Sequence, residues 1–587
     1  MLAFLARRLL ATLALLLIAS LLVFLMMRVA PADPAAMMAG DAATPQQVDQ
    51  VRQTYGMDRP LPAQYFVWLA HLALGELGHS HPDRTAVTAL IGARVAPTAS
   101  LAALALVVAC ALALPAGVAA ARRPGGWLDR ALSGLTLLGL SLPAFVLAYV
   151  LIWLLALRLG WLPAQGYRPL SAGTGPWLRH LLLPALALGA AQAALLARVT
   201  RAAVRDALAA DHVRTARAWG MPERAVLLRH ALAHAAAPIA GAAGPGIGLL
   251  LGGIVVVEWV CAIPGLGHLA VDAALARDLP TLQGLLFFLA LVSALVVLLV
   301  DLTCAAIDPR RRGASVPAAT SVPPAAPALR REDVWRGMRD SPTVRLGAAL
   351  LAVMVLIALA APWLGTIDPT LADPAGLDLP PLAYGSVTSA DGESMKLRFV
   401  MGSDSAGRDI YSRVVYGTRV AFEVGATSAA LAVACALGLG LVAGSLPRVD
   451  GVLTRVLDAL ATMPALVVGL ALVVAWTGSP ETLALALAIP AIPRLTRLVR
   501  AIVLATRAQT YAVAALSLGT SEWRVLLRDV LPNLVAPLLV RGLAIAAWAV
   551  AAATILSFLG VGLPADLPAW GNVMAAGRAH FDTRAAA

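Results

Sequence analysis

The sequence predicts an all-α integral membrane protein made of two tandem halves with parallel topology. Three observations carry this reading. Apolar residues make up 60% of the 587, charged residues only 13%, and mean hydropathy is +0.81. Soluble domains run nearer 45–50% apolar and about 25% charged. Apolar runs of 18 or more residues recur along the whole chain, each long enough to cross a hydrocarbon layer of about 30 Å. Finally, one arginine-rich loop occurs twice, 299 residues apart. A soluble enzyme and a disordered protein are both excluded.

The N-terminus reads Arg7-Arg8, then an apolar run from Leu9 to Met27. A cleavable signal has an apolar region of about 7–15 residues, so this longer run is expected to be a retained first span with its N-terminus inside. Further runs lie near 97–121, 131–157, 181–200, 237–257 and 282–304, and a soluble-looking stretch separates the first two. Arg122, Arg123 and Arg130 fall between spans two and three. Arg198, Arg201, Arg205, Arg214, Arg217, Arg224 and Arg229 fall between four and five, and Arg310, Arg311 and Arg312 follow span six. All these loops are cytoplasmic if the N-terminus is inside, as the positive-inside rule requires. The net charge of +12 therefore reads as loop arginine, not as a nucleic-acid surface: the basic residues do not share one soluble face.

Residues 1–312 form a first half of six spans. Residues 313–328 read GASVPAATSVPPAAPA, a stretch without helical apolar period, and the linker is placed at 313–329. The pattern restarts at 330, and residues 330–587 form a second half of five spans, near 346–364, 420–445, 452–476, 481–499 and 534–559. Only nine residues follow Arg578, too few to cross a bilayer as a helix. The expectation is about eleven spans, six plus five, with the final span of the second half missing and the C-terminus outside.

The repeat lies between spans four and five of each half. VRTARAWGMPERAVLLRHALAHAAAP (213–238) meets AVAALSLGTSEWRVLLRDVLPNLVAP (512–537). Ala216, Gly220, Glu223, Arg229 and Leu232 match Ala515, Gly519, Glu522, Arg528 and Leu531. Each copy is expected to be a short helix, a glycine turn and a second short helix. Gly220 and Gly519 permit the positive φ of a sharp turn. Ala216 and Ala218, with Ala514 and Ala515, leave a helix surface that another backbone can approach. Ser521 or Thr520 is the expected cap of the next helix, and Pro222 suits a first helical turn.

On these residues the chain resembles bacterial ABC-importer permeases of the dipeptide, oligopeptide and nickel class. Their loop pattern is Glu-Ala-Ala, three residues, Gly, nine residues, Ile-x-Leu-Pro. The second copy supplies Ala514, Ala515, Gly519, Leu531 and Pro532, with Val513 for the Glu and Asp529 for the Ile. The first retains Ala216, Gly220 and Leu232 within the variant VRTARAWG. The likeness extends through LARRLLATL, GELGHS (75–80), LGLSLPAF (138–145) and PGLGHLAVDAALARDLPTLQG (264–284) in the first half. In the second half it runs through MGSDSAGRDIYSRVVYGTRVAF (401–422) and LSFLGVGLPADLPAWGNVMAAGR (556–578). The resemblance implies two permease subunits fused in one chain, with the type I importer fold. It further implies a bacterial inner-membrane location, two cytoplasmic ABC ATPase partners seated on the two loops and an extracytoplasmic solute-binding protein. The cargo class it implies is peptides or related small solutes.

Other chemistry is sparse. A Walker A loop needs GxxxxGK[ST], and Lys396 has no such frame, so the chain is expected not to be an enzyme and ATP hydrolysis belongs to partners. The four cysteines form no CxxC pair or metal spacing, and no cofactor is implied. His230 and His234 lie four apart without a third ligand and read as a solvated helical pair. Glu258 and Asp301, at span ends, read as solvated or helix-paired. Gly438, Gly440 and Gly444 read as helix-packing positions. Pro143 and Pro464 interrupt the third spans, and Pro184 and Pro490 the fourth; packing geometry and a gated route both remain open. The alternative function is a secondary transporter of small solutes. Its usual inverted repeat is not seen here, and no ladder of ionisable residues crosses the bundle.

Overall fold

Helices dominate because a lipid-exposed backbone must satisfy its own hydrogen bonds. The computed structural model describes residues 2–28, 33–40, 43–81, 84–308, 341–364, 366–372, 376–388, 394–476 and 479–577. The expected linker at 313–329 and the chain end from Arg578 lie outside the described residues. The chain divides into two compact units, one containing Met1–Val316 and Thr462–Ala471, the other Pro317–Ala461 and Leu472–Ala587.

The first half opens with α1 (Leu2–Arg28). Three short helices, α2 (Pro34–Ala39), α3 (Pro45–Thr54) and α4 (Leu61–Ala73), fill the soluble-looking stretch. Thr44 and Gln47 form a reciprocal capping box at the start of α3. Then come α5 (Val87–Arg122), α6 (Trp127–Ser141), α7 (Ala144–Leu151) with a π-helical continuation to Arg158, and α8 (Thr174–Ala209). The repeated loop contains α9 (Asp211–Ala218) and α10 (Glu223–Ala225). It leads into α11 (Leu232–Val260), α12 (Leu266–Leu275) and α13 (Leu279–Ile307). In the second half α14 (Pro342–Ala360) precedes a hairpin of β1 (Tyr384–Thr388) and β2 (Ser394–Arg398), antiparallel with Tyr384 opposite Arg398. The helices resume as α15 (Ile410–Ser445), α16 (Pro447–Thr462), α17 (Ala465–Trp476), α18 (Pro480–Ala488) and α19 (Ile492–Arg507). The series closes with α20 (Thr510–Ser517), α21 (Glu522–Val525) and α22 (Leu531–Phe558). The hairpin is the departure from an all-helical expectation, and it lies in the polar stretch where water can satisfy its edges.

Among the described residues nine helices are long and apolar enough to cross a membrane. Two bent pairs, Trp127–Gly139 with Ala144–Arg158 and Pro447–Thr462 with Ala465–Trp476, give eleven when each is counted as one span. The bends of 100° and 91° fall where Pro143 and Pro464 were expected to interrupt the spans. Pro184 lies inside continuous α8, whereas Pro490 sits in a 3₁₀ turn, Ile489–Ala491, that joins α18 to α19. Span two is longer than its apolar run: α5 has 36 residues, because its polar first turns are held by α12. There Arg94 donates to Asp272 at 3.1 Å.

Span four is the hub of each half. In α8, 67% of the apolar window is buried, against 11% in the window of α14. The hub relies on missing side chains. A Cβ on Gly117 of α5 would lie 2.8 Å from the Thr200 Cβ and 2.9 Å from the Ala197 carbonyl oxygen on α8. A Cβ on Gly440 of α15 would lie 2.5 Å from the Val499 Cβ on α19. Thr200 and Val499 are themselves 299 apart. Gly444 meets Val503 in the same way, but Gly438 has open space, so two of the three glycines expected to pack do so.

The polar ends are fixed by paired charge, partly or fully buried. Asp301 at the end of α13 accepts from Arg8 at 2.5 Å. Of the two expected states of Glu258, solvated or helix-paired, the structure shows the second, with the side chain fully buried. It accepts from the Thr98 hydroxyl at 2.6 Å and from the Gly267 and His268 N–H groups at 2.7 and 3.3 Å, anchoring the start of α12. In the second half Arg413, 1% exposed, donates to the carbonyls of Pro369, Ala565, Asp566 and Leu567 at 3.0–3.3 Å. Hydrogen bonds from a charged donor contribute about 1.5–3 kcal/mol each. Arg413→Leu should therefore lower the thermal unfolding midpoint in detergent markedly. Arg413→Lys should recover only part of it, since an ammonium cannot fork to four carbonyls.

Candidate functional site: the repeated loops

In each half the fourth span ends, one residue intervenes or two, and a short helix crosses to the next span. α9 begins at Asp211 after α8 ends at Ala209; α20 begins at Thr510 after α19 ends at Arg507. The turn that follows is the expected one. Gly220 has φ +75° and Gly519 φ +83°, values that L side chains rarely adopt. A Cβ at either would meet open space, so only the backbone angle demands glycine.

Beyond the turn the structure departs from the expected second short helix. α10 and α21 run without a loop through π-helical turns, Val226–Ala231 and Leu526–Val530, directly into α11 and α22. The start of span five is thus part of the site. Ser521 occupies the cap position of α21, but its hydroxyl makes no capping bond, and Pro222 caps α10 from just outside the helix instead of entering its first turn.

The alanines divide by face. Ala216, 3% exposed, packs with Val213 and Val226 in a small core inside the loop. It therefore does not offer a surface to another backbone. Its spacing of three from Val213 puts both on the inner face of α9. Ala512 is the buried match of Val213; Ala515 is half-buried, and Ala514 and Ala218 are exposed. Val525 is buried like Val226. Leu232 and Leu531 are half-buried at the first positions of α11 and α22, with Pro532 exposed in the first turn, while Arg229 and Arg528 are exposed. The two glutamates are paired. Arg217 donates to Glu223 at 2.8 Å, which holds the guanidinium above its ordinary pKa; Arg507 donates to Glu522 at 3.2 Å. The His234 ring lies beside that of His212, centroids 5.1 Å apart and tilted by 49°.

The outer face of each loop is apolar. Trp219 is 80% exposed and Leu518, its match at the same offset, 87%. Leu228 and Leu527 are exposed as a second matched pair, and Trp523, four residues before Leu527, is exposed too. Sequence reasoning passed over these side chains because an apolar residue next to a span reads as part of it.

It also passed over two ion pairs. Arg201 on α8 forks onto Asp129 in the first turn of α6, with Nη2 to Oδ2 at 2.8 Å and Nε to Oδ1. Arg500 on α19 forks onto Asp450 in the first turn of α16, with Nη2 to Oδ2 at 2.6 Å and Nε to Oδ1. Arg201 and Arg500 are again 299 apart. That coincidence was the available signal; the aspartates, 321 apart, hid it.

Residues 113–313 and 436–581 match the family described as the binding-protein-dependent transport system inner membrane component. Residues 1–102 match the N-terminal region of such membrane components, and 330–381 the N-terminal transmembrane domain of oligopeptide transport permease C. The chain belongs to this family of multi-pass inner-membrane permeases and carries two permease units. A probable peptide ABC transporter permease of Sinorhizobium fredii is 39% identical over 309 residues, 53% of this chain and 99% of the relative. A glutathione transport system permease of Pectobacterium atrosepticum is 41% identical over 312 residues, with the same coverage of each chain. A putative peptide transport system permease of Brucella abortus is 39% identical over 312 residues. A whole relative thus corresponds to about half of this chain, and membership points to solute translocation, not catalysis.

The turn geometry sets a graded expectation. Gly519→Asn, which tolerates a left-handed backbone, should keep most solute uptake in proteoliposomes. Gly519→Val should lose it while membrane insertion, followed by membrane-fraction yield, stays normal. Gly220 should behave alike.

Proposed function

We propose that this chain supplies both transmembrane halves of an ATP-driven importer for peptides or related small solutes, driven through its two repeated loops. The observation that carries the reading is the matched exposure of Trp219 and Leu518 on the two repeated loops. An exposed apolar cluster rimmed by polar residues marks a protein-binding surface. Two such clusters at equivalent places fit two copies of an ATPase. In this reading the N-terminus and both loops are cytoplasmic, and a solute-binding protein delivers cargo to the opposite face. Ala216 and Ala515 support the loop helix from within. Gly220 and Gly519 fix its exit. Glu223, through Arg217, ties that exit to the loop helix α9, and Glu522, through Arg507, ties it to the end of span four. The peptide and glutathione permeases among the relatives support small peptides as cargo.

The halves are read as 1–312 and 330–587, with 313–329 between them as a tether. Lys396, which lacks the glycine frame of a Walker A loop, is consistent with hydrolysis in partner subunits.

Trp219→Glu combined with Leu518→Glu should reduce co-purification of the cognate ATPases tenfold or more without reducing insertion. Uptake by the wild-type assembly should need ATP on the loop side and persist when an ionophore collapses the proton gradient. Uptake that ignores ATP and stops with the ionophore would instead support secondary transport.

Residues 1–320 and 321–587, co-expressed as separate chains, should assemble and transport. Loss of uptake with both fragments stably inserted would give the 313–329 segment a structural role beyond tethering.

A further inference from the structure

The two Asp–Arg pairs hold the bent third spans to the fourth. Arg201 and Arg500 each lie ten residues before the loop helix, α9 or α20, on the span that runs into it. Asp129 and Asp450 each lie in the first turn of the arm, α6 or α16, that bends by 100° or 91° at its far end. Each pair uses both carboxylate oxygens and both Nε and Nη2, a fork that fixes direction as well as distance. Asp129 also accepts from the Gly125 N–H at 2.9 Å, and Asp450 from the Thr454 hydroxyl at 3.1 Å. Both aspartates are thus pre-oriented by their own helix start.

Such pairs are poor stabilisers. The four side chains keep 7–32% of their surface exposed, and partly exposed ion pairs contribute about 0–1 kcal/mol. α6 otherwise turns Trp127, Leu135, Leu137 and Leu138 outward, away from its half. A fork that adds little stability, yet recurs at matched places in two halves, is suited to transmitting position.

We infer that Asp129–Arg201 and Asp450–Arg500 are the links that make each bent third span follow the fourth span and its loop during transport. When a loop moves, its span four moves with it, and the fork drags the first turn of the third span. The bend at Pro143 or Pro464 converts that displacement into a swing of the segment beyond it. These four are positioning residues; they touch no solute. The inference rests on the loops being the point where motion enters.

The test uses the full chain with its ATPases and binding protein in proteoliposomes. Asp129→Asn with Asp450→Asn should keep the ATPases bound and hydrolysing. Maximal uptake should fall tenfold or more at unchanged KM for solute, and more ATP should be spent per solute. Reversing both pairs, Asp129→Arg with Arg201→Asp and Asp450→Arg with Arg500→Asp, should bring uptake back to within threefold of wild type. Spin labels at Thr215 and Leu135, on a background lacking the four native cysteines, read the link directly in the chain alone. Their distance distribution should be narrow in wild type, broad in Asp129→Asn and narrow again in the reversed pair. Wild-type uptake in the neutral variants, or an unchanged label distribution, would overturn the proposal, as would loss of uptake that the reversal fails to restore. If Trp219→Glu with Leu518→Glu still bound the ATPases, the loop assignment would fall. The label distances would then decide the link by themselves.

Discussion

The lack of water in the hydrocarbon layer is the constraint from which this structure follows. Backbone groups there must pair within the chain, so spans are helices. Apolar side chains gain nothing by leaving lipid for one another, so helices are drawn together by close packing instead. Gly117 against Ala197 and Gly440 against Thr496 and Val499 are the visible result. Around them the cores are built largely of Ala, Val and Leu: Ala113, Ala193 and Ala197 in the first half, Ala432, Ala436 and Val499 in the second. This explains why so alanine-rich a chain gives well-defined spans. Small side chains bring backbones close enough for dispersion forces to act along the full length of a helix.

That constraint also explains what could be read from the sequence. Span count and the bends at Pro143 and Pro464 were legible because hydropathy and proline act locally. Gly220 and Gly519 were legible because a positive φ leaves few choices of residue. The inward face of Ala216 was not, because an alanine reads the same whether it packs within its loop or against a partner. The hairpin at 384–398 was hidden by its polar, irregular sequence. For Glu258 the sequence left water and a helix partner both open; the structure gives it the helix, through the N–H groups of Gly267 and His268 in α12, nine and ten residues downstream and brought back by a turn at Cys261 and Ala262. The exposed Trp219 and Leu518 escaped notice since apolarity beside a span carries no information about which side of the membrane boundary it occupies.

Rigidity and freedom are distributed unevenly along each half. Span four is enclosed by its neighbours, continuous with the loop at one end and packed against glycine near its middle. The third span is bent, and the outer face of its first arm is bare in the first half. A permease must let one element move without loosening its packed centre. In α8 and α19 the packed centre is also the element that carries the loop. The other polar anchors, Glu258 with α12 and Arg413 with the 565–567 carbonyls, lie away from that route and hold their segments by several bonds each.

The π-helical turns at Val226–Ala231 and Leu526–Val530 carry a geometric consequence. Such a turn holds an extra residue and shifts the angular phase of everything that follows it in the helix. Removing that residue from one half would rotate the remainder of its span five, α11 or α22, and point a different stripe of side chains at its neighbours. The extra residue stands at corresponding places in both halves, which belong to one family. Span five therefore leaves its loop with one angular phase in both halves, whatever side chains each half places around it.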